Sequence, residues 1–139
     1  MEYQKRLGRF CDLSIEEIKE ELVSDNPSPA QEEYVKNEEG KRILGRLKQG
    51  AYVISLDIKG KEYSSEGLAA VVSGLGLKGK SDVAFIIGGS IGLGSNVLEQ
   101  SDLRLSFSKM TFPHQMMRVI LLEQLYRSFK INKNEPYHK

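Results

Sequence analysis

Three stretches of the chain carry the hydrophobic pattern of β-strands. Residues 51–58 and 82–87 are rich in β-branched and aromatic side chains, and the second stretch is almost continuously apolar, as in a strand covered on both faces of a parallel sheet. Residues 102–107 alternate apolar and polar positions, which predicts a strand that covers one face near a sheet edge. The chain therefore supplies three strands for one sheet.

Helical patterns separate these strands. Ser64 caps a predicted helix that runs to residue 72 and ends in the glycine-rich region 74–79, and a short helix near 96–100 separates the second and third strands. Alternating strands and helices are typical of an α/β fold with a parallel sheet. A charged helix over residues 31–48 precedes this core.

The C-terminal helix is predicted from Pro113 to Lys130, with a polar arc and an opposite apolar arc. The polar arc holds Glu123, Gln124, Arg127 and Lys130, and the apolar arc holds Leu121, Leu122, Leu125 and Phe129. Arg118 falls within the apolar arc, so its guanidinium either reaches back to solvent or pairs with an anionic partner in a site. Met116 and Ile120 fall within the polar arc, and such additional apolar surface is typical of contact with a second subunit.

Composition and charge narrow the class of protein. The 139 residues are 40% hydrophobic and 28% charged, which predicts a single globular domain over residues 1–139. The sequence has no apolar run of membrane-spanning length and no signal-peptide core, and with the single Cys11 this predicts a cytoplasmic protein. The net charge is +1, but residues 104–139 hold seven basic and two acidic side chains. This basic end is either a solvated surface or one that steers an anionic substrate.

Two turns follow strands at what should be the same edge of the sheet. The apolar strand opens into the glycine-rich residues 88–94, and the third strand opens into small and polar residues after Phe107. Open α/β sheets bind ligands at the carboxyl ends of their strands, so we expect a small cofactor there. The glycine spacing matches neither the dinucleotide fingerprint nor a Walker loop, and a purely structural turn is the alternative.

The two histidines give no sign of a metal site. Neither His114 nor His138 has a cysteine or carboxylate at ligand spacing, and no serine–histidine–acid arrangement is evident, so no metal is predicted. His114 either begins the last helix or acts in a site. His138 either belongs to a frayed tail or to a terminus that the fold holds in place.

Several segments of the chain share one resemblance. They are residues 86–93, 105–118, 123–127 and the closing Tyr137-His138-Lys139, with earlier matches at 2–7, 55–61 and 64–68. Together they closely resemble the RlmH family, SPOUT-superfamily enzymes that methylate N3 of a pseudouridine in 23S ribosomal RNA of the large subunit. The resemblance covers essentially the whole chain.

The resemblance implies an α/β-knot fold with a C-terminal trefoil knot, a homodimer with sites at the subunit interface, and S-adenosylmethionine as cofactor. It places the cofactor in the crevice already described. The implied cofactor residues are Leu56, Gly88, Phe107, Ser108, Lys109, Met110, Thr111 and Phe112.

The resemblance also suggests how the acceptor base is handled. N3 of pseudouridine carries a proton, so its deprotonated ring needs positive charge nearby. Arg118, His138 and Lys139 are the candidates for that charge, with His138 also a candidate proton acceptor and Tyr137 a candidate for stacking on the base. The modest net charge favours recognition of RNA within the assembled ribosome.

Members of the RlmH family usually begin with a strand and half a helix before the segment matched by residues 2–7. We therefore expect the first strand of the fold to be missing from this chain, and we expect a strand over residues 12–18, although Ser14 and Glu17 also imitate a helix capping box. A chain short by one strand leaves an alternative function open, that of a non-catalytic knotted module that binds RNA or the ribosome.

Overall fold

The computed structural model describes residues 2–89 and 91–139. Its elements, in chain order, are α1 (Glu2–Leu7), α2 (Pro29–Leu44), β1 (Tyr52–Glu62), α3 (Ser65–Leu77), β2 (Val83–Ile86), α4 (Ser95–Glu99), β3 (Leu103–Ser106) and α5 (His114–Asn132). They group into two compact units. The sheet unit comprises residues 17–62 and 82–114, and the helical unit comprises residues 2–16, 63–81 and 115–139.

The sheet unit is built on three parallel strands in the order β2-β1-β3, which confirms the predicted α/β class. Edge position is confirmed for β3. β2 is the other edge, and the predicted cover of both its faces holds only towards its end, where Ile86 is buried, since Val83 at its start is 37% exposed. The covered strand is the central β1, where Val53 and Ile54 are buried. A short apolar run shows how hydrophobic a strand is. The place of that strand in the sheet depends on pairing with residues far along the chain.

β1 is longer than predicted and contains a bulge. Leu56 and Lys61 both pair with Leu105 of β3, so the intervening residues leave the ladder. A β-carbon built on Gly60 would lie 2.6 Å from the carbonyl oxygen of Arg104, closer than such atoms approach. Glycine at this position therefore lets the bulge close against β3.

The core of the sheet unit lies between the sheet and two helices. Buried Val53, Ile86 and Val97 form its centre. The half-buried residues Ile43, Leu44, Leu47 and Leu93 pack around them. α2 begins two residues earlier than the sequence pattern suggested, because Ser28 and Gln31 form a capping box and Pro29 occupies the first turn.

In the helical unit, the rings of Tyr3 and Phe10 pack against α5, and hydrogen bonds join α3 to α5. The predicted cap of α3 is confirmed, since the hydroxyl of Ser64 accepts from the amide of Gly67 at 2.9 Å. Residues on the predicted apolar arc of α5 are buried, among them Leu121, Leu122 and Leu125. The predicted polar arc is half-buried, because its side chains bind other residues of this unit.

Residues 12–18 do not form the predicted strand, and they do not form the alternative helix. The backbone that follows them is held by side chains of α2: Arg42 Nη1 donates to the carbonyl of Lys19 at 2.8 Å, and the amide of Glu21 donates to Glu39 at 2.9 Å. Side chains of α2 thus bond backbone groups of this segment that a neighbouring strand would bond in a sheet. Over the described residues, no helix combines the length and the hydropathy that crossing a bilayer requires.

Candidate functional site

The sheet unit brings the predicted cofactor residues to one edge of the sheet. In the ladders, Ser55 lies beside Ile86 of β2, and Leu56 lies beside Leu105 of β3. Gly88 and Phe107 each follow those partners by two residues. The strands are parallel, so Leu56, Gly88 and Phe107 all lie at the carboxyl edge, where α/β sheets bind ligands.

The glycine turn after β2 folds back on itself. The amide of Gly92 donates to the carbonyl of Gly89 at 3.1 Å, and Gly92 has a φ of +92°. A β-carbon on Gly88 would lie 2.9 Å from the carbonyl carbon of Gly92 and 3.1 Å from Cγ of Leu93. The turn thus requires glycine for its own geometry, which is the structural interpretation that the sequence left open.

The turn after β3 is organised by two serine hydroxyls. Ser106 Oγ donates to the carbonyl of Ser108 at 3.0 Å, and Ser108 Oγ accepts from the amide of Met110 at 3.0 Å. Lys109, Met110 and Thr111 are exposed, and Met110 retains 71% of its surface. The turn therefore offers backbone groups and an apolar side chain to a ligand.

These residues fit a cofactor that joins a nucleoside to an amino acid. Leu56 and the half-buried rings of Phe107 and Phe112 supply apolar surface, and further backbone groups of residues 107–112 can bind the polar edges of such a ligand. Two glutamates that the sequence did not single out also lie near the glycine turn. A β-carbon on Gly89 would be 3.4 Å from Oε1 of Glu20 and 3.6 Å from Oε1 of Glu39.

The predicted catalytic residues belong to the helical unit. Tyr137 is half-buried, and its hydroxyl donates to Oε2 of Glu123 at 2.8 Å. Its ring meets Tyr126 edge to face at 4.9 Å, and the guanidinium of Arg127 lies 4.9 Å from the ring centroid. Burial, with hydrogen bonds to Tyr3 and Glu123, raises the pKa of Tyr137 above its ordinary value of 10.0.

His138 is held at both ring nitrogens. Arg127 Nη1 lies 3.0 Å from Nδ1, and Nε2 contacts Oε1 of Glu66. The tail is therefore held against α3 and α5. Of the two alternatives for His138, this is the terminus that the fold holds in place. The sequence offered one signal for this arrangement, the i,i+4 spacing of Glu123 and Arg127, and none for the partnership of His138 with Glu66.

Arg118 and His114 lie on the first turns of α5, where Arg118 is half-buried and His114 is exposed. Lys139 is exposed at the end of the tail. Among the residues described, no three His, Cys, Asp or Glu side chains come together in a way that would hold a metal ion.

The fold and its carboxyl-edge turns define an α/β protein with a candidate ligand-binding edge, and comparison with known proteins gives its family. The family described as "Predicted SPOUT methyltransferase" matches residues 1–138, and the chain belongs to it. Among its relatives, the "Ribosomal RNA large subunit methyltransferase H" of Clostridium novyi (strain NT) is 56% identical over 99% of this chain and 87% of that protein. The protein of the same name from Clostridioides difficile (strain 630) is 54% identical with the same coverage.

A third relative has the same name, qualified as putative. The "Putative ribosomal RNA large subunit methyltransferase H" of Methanococcus maripaludis (strain C5 / ATCC BAA-1333) is 54% identical over 99% of this chain and 87% of that protein. These comparisons confirm the family resemblance found in the sequence. The chain is thus a methyltransferase by family.

Proposed function

We propose that this protein transfers a methyl group from S-adenosylmethionine to N3 of a pseudouridine in 23S ribosomal RNA, acting on the assembled ribosome. One observation carries the proposal: the chain is 51–56% identical, over nearly its whole length, to proteins named as methyltransferases of large-subunit ribosomal RNA. The carboxyl-edge turns of the sheet unit support it, because they offer the backbone and apolar surface that the donor needs.

The chain's own residues bind and orient the donor. S-adenosylmethionine, when bound, supplies a methyl group already activated by the sulfonium. Leu56 lies within β1, level with the ends of β2 and β3, and provides an apolar contact. The backbone of Phe107–Phe112 provides hydrogen-bonding groups for the adenine and methionine parts. The compact glycine turn at Gly88 shapes the edge beside them, and its rigidity favours alignment of the reacting atoms.

The acceptor base requires positive charge and orientation. Arg118 is our candidate for stabilising the deprotonated ring, aided by Lys139 at the exposed end of the tail. Tyr137 and His138 are candidates for orienting the base. The basic surface of residues 104–139 would contact the phosphate backbone of the RNA.

We further propose that the working protein is a cytoplasmic homodimer, with residues 1–139 forming one SPOUT domain whose C-terminal part is knotted. Met116 and Val119 on α5 are 51% and 42% exposed, which supports α5 as a dimer surface.

Calorimetry and a methylation assay test the proposal together. S-adenosylmethionine should bind the purified protein, and ribosomes lacking the modification should gain one methyl group on a 23S pseudouridine, located by mass spectrometry of nuclease fragments. Ribosomes that already carry the modification are the matched control. A naked RNA hairpin of the same sequence should be a poor substrate.

The non-catalytic alternative gives a different result in the same experiments. A protein that binds ribosomes but shows no heat of binding at millimolar S-adenosylmethionine, and adds no methyl group, would be a binding module.

A further inference from the structure

We propose that Glu66, Glu123 and Arg127 are positioning residues, which anchor the C-terminal tail and hold His138 as the neutral tautomer protonated on Nε2. The inference rests on the proposed function for its catalytic meaning. The contacts that support it all lie within the helical unit.

The tail returns to α5 because of the way that helix ends. Asn134 has a φ of +54°, the amide of Glu135 donates to the carbonyl of Lys130 at 2.9 Å, and the amide of Asn134 donates to that of Ile131 at 3.1 Å. These two bonds form a Schellman motif with asparagine in the left-handed position. The motif turns the chain, and Tyr137 and His138 then contact Glu123 and Arg127.

Hydrogen bonds link the tail to both helices. Glu123 accepts from Tyr137 at 2.8 Å and from Arg127 Nη2 at 2.8 Å. The side-chain Nε2 of Gln124 donates to Oε1 of Glu123 at 3.0 Å, and the hydroxyl of Ser65 donates to Oε1 of Gln124 at 2.8 Å. We call this set of hydrogen-bonded side chains the tail network; its members are Ser65, Glu66, Glu123, Gln124, Arg127, Tyr137 and His138. The network reaches α3 at Ser65 and at Glu66, both in the first turn of that helix.

The network determines where His138 carries its proton. Arginine has donors and no acceptor, so the Nδ1 that faces Arg127 must present its lone pair. A carboxylate is an acceptor, so Nε2 must carry the proton that it donates to Glu66. A doubly protonated ring would place an N–H against the Arg127 donor. His138 is therefore neutral in this arrangement, and neither of its nitrogens is available as a proton acceptor for substrate.

This assignment changes the role expected of His138. Instead of removing the proton from N3, it joins Arg127 to Glu66 and keeps Tyr137 and Lys139 at a fixed place beside α5. Removing Glu66 should then act through His138, and an isosteric acceptor should restore the function. A proton acceptor would behave differently, because its own replacement would be the damaging change whatever stood at position 66.

Nitrogen-15 NMR of the imidazoles tests the assignment without reference to activity. The chain has two histidines, and His114→Asn assigns the remaining signals to His138. At slightly alkaline pH, the wild type should show a pyrrole-type Nε2 and a pyridine-type Nδ1. Glu66→Gln should keep this pattern because the amide oxygen still accepts, and Glu99→Ala on α4 should have no effect. Arg127 alone still requires the lone pair on Nδ1, so only the double variant Glu66→Ala/Arg127→Ala should give a mixture of tautomers.

A wild-type His138 protonated on Nδ1, or on both nitrogens, would overturn the proposal even if Glu66→Ala failed to fold. An unchanged tautomer in a folded Glu66→Ala/Arg127→Ala protein would show that these two residues do not set it, and would overturn the proposal. In the methylation assay, Glu66→Ala should lower kcat by about tenfold with little change in KM for S-adenosylmethionine, and Glu66→Gln should restore most of it. If the wild type transfers no methyl group, the proposed function is wrong, but the NMR measurement still tests the tautomer of His138.

Discussion

Gly88 and Gly92 approach each other so closely that a β-carbon on Gly88 would lie 2.9 Å from the carbonyl carbon of Gly92. Backbone lies on both sides of this contact, so a side chain at position 88 cannot be accommodated by rotation of a neighbouring side chain. The contact links the shape of the glycine turn to the edge of the sheet where we expect the cofactor.

Gly88→Ala should therefore reduce both stability and cofactor binding. Forcing a methyl group into such a contact should cost about 1–3 kcal/mol of unfolding free energy, and displacement of the turn should weaken binding of S-adenosylmethionine. Chemical unfolding and calorimetry measure the two effects.

Gly76→Ala is the matched control for that variant. Gly76 lies in α3, and a β-carbon there would have no heavy atom within 4 Å. Because alanine favours helix, this change should stabilise the protein by up to about 1 kcal/mol and leave binding unchanged. A Gly88→Ala protein with wild-type stability and affinity would contradict the assigned role of the turn.

The elements that local pattern predicted are those whose signals lie within a few residues. The cap at Ser64, the apolar face of α5 and the two turns at the carboxyl edge all depend on near neighbours, and the structure contains them. The position of Leu56 at that edge followed from family resemblance and matches the strand register.

The parts that pattern did not predict depend on partners far along the chain. The central place of β1 depends on pairing with strands about 30 and 50 residues away, which no local run of residues encodes. Residues 12–18 look strand-like, but the segment that follows them bonds to side chains of α2. Glu66 meets His138 across 72 positions, and neither residue gives a local sign of it.

The end of α5 gives a prediction about the tail. Asn134 has a left-handed backbone conformation that asparagine and glycine tolerate, whereas β-branched residues do not. Asn134→Val should cost about 1–2 kcal/mol of unfolding free energy and increase hydrogen exchange at Tyr137 and His138. Asn134→Gly should keep the stability within about 0.5 kcal/mol of wild type. Equal protection of the tail in both variants would show that the turn does not position it.

The raised pKa of Tyr137 predicts a loss of stability in alkali. The folded state holds the phenolic proton more tightly than the unfolded chain, whose pKa is near the ordinary value of 10.0. The contribution of Tyr137 to stability is therefore complete below pH 10 and decreases as the pH rises through the folded-state pKa. The stability of the wild type should fall above about pH 10 more steeply than that of Tyr137→Phe, measured by denaturant unfolding.

The exposed Tyr34→Phe substitution controls for loss of one phenol, and it should show the wild-type dependence on pH. Burial also raises the pKa of the Cys11 thiol, but Cys11 is present in all three proteins and cancels in the comparison. Identical alkaline profiles for wild type and Tyr137→Phe would contradict the buried, hydrogen-bonded position of Tyr137.

The lowered pKa of Glu33 predicts that the protein loses stability at acid pH. Its Oε1 accepts from the hydroxyl of Ser95 at 3.0 Å and from the amide of Ser95 at 3.5 Å, at the start of α4. These hydrogen bonds, with the nearby charge of Lys36, lower the pKa of Glu33 below its ordinary value of 4.5. The folded state thus favours the carboxylate, so the contribution of Glu33 to stability is present above pH 4.5 and is lost as the pH falls through the lowered pKa.

The variant Glu33→Gln keeps an acceptor and removes the charge. Its deficit in unfolding midpoint should therefore be largest at neutral pH and should shrink in acid. Glu62→Gln, at the exposed end of β1, should show no such dependence. A deficit for Glu33→Gln that stays constant down to about pH 3 would mean that the charge of Glu33 does not stabilise α4.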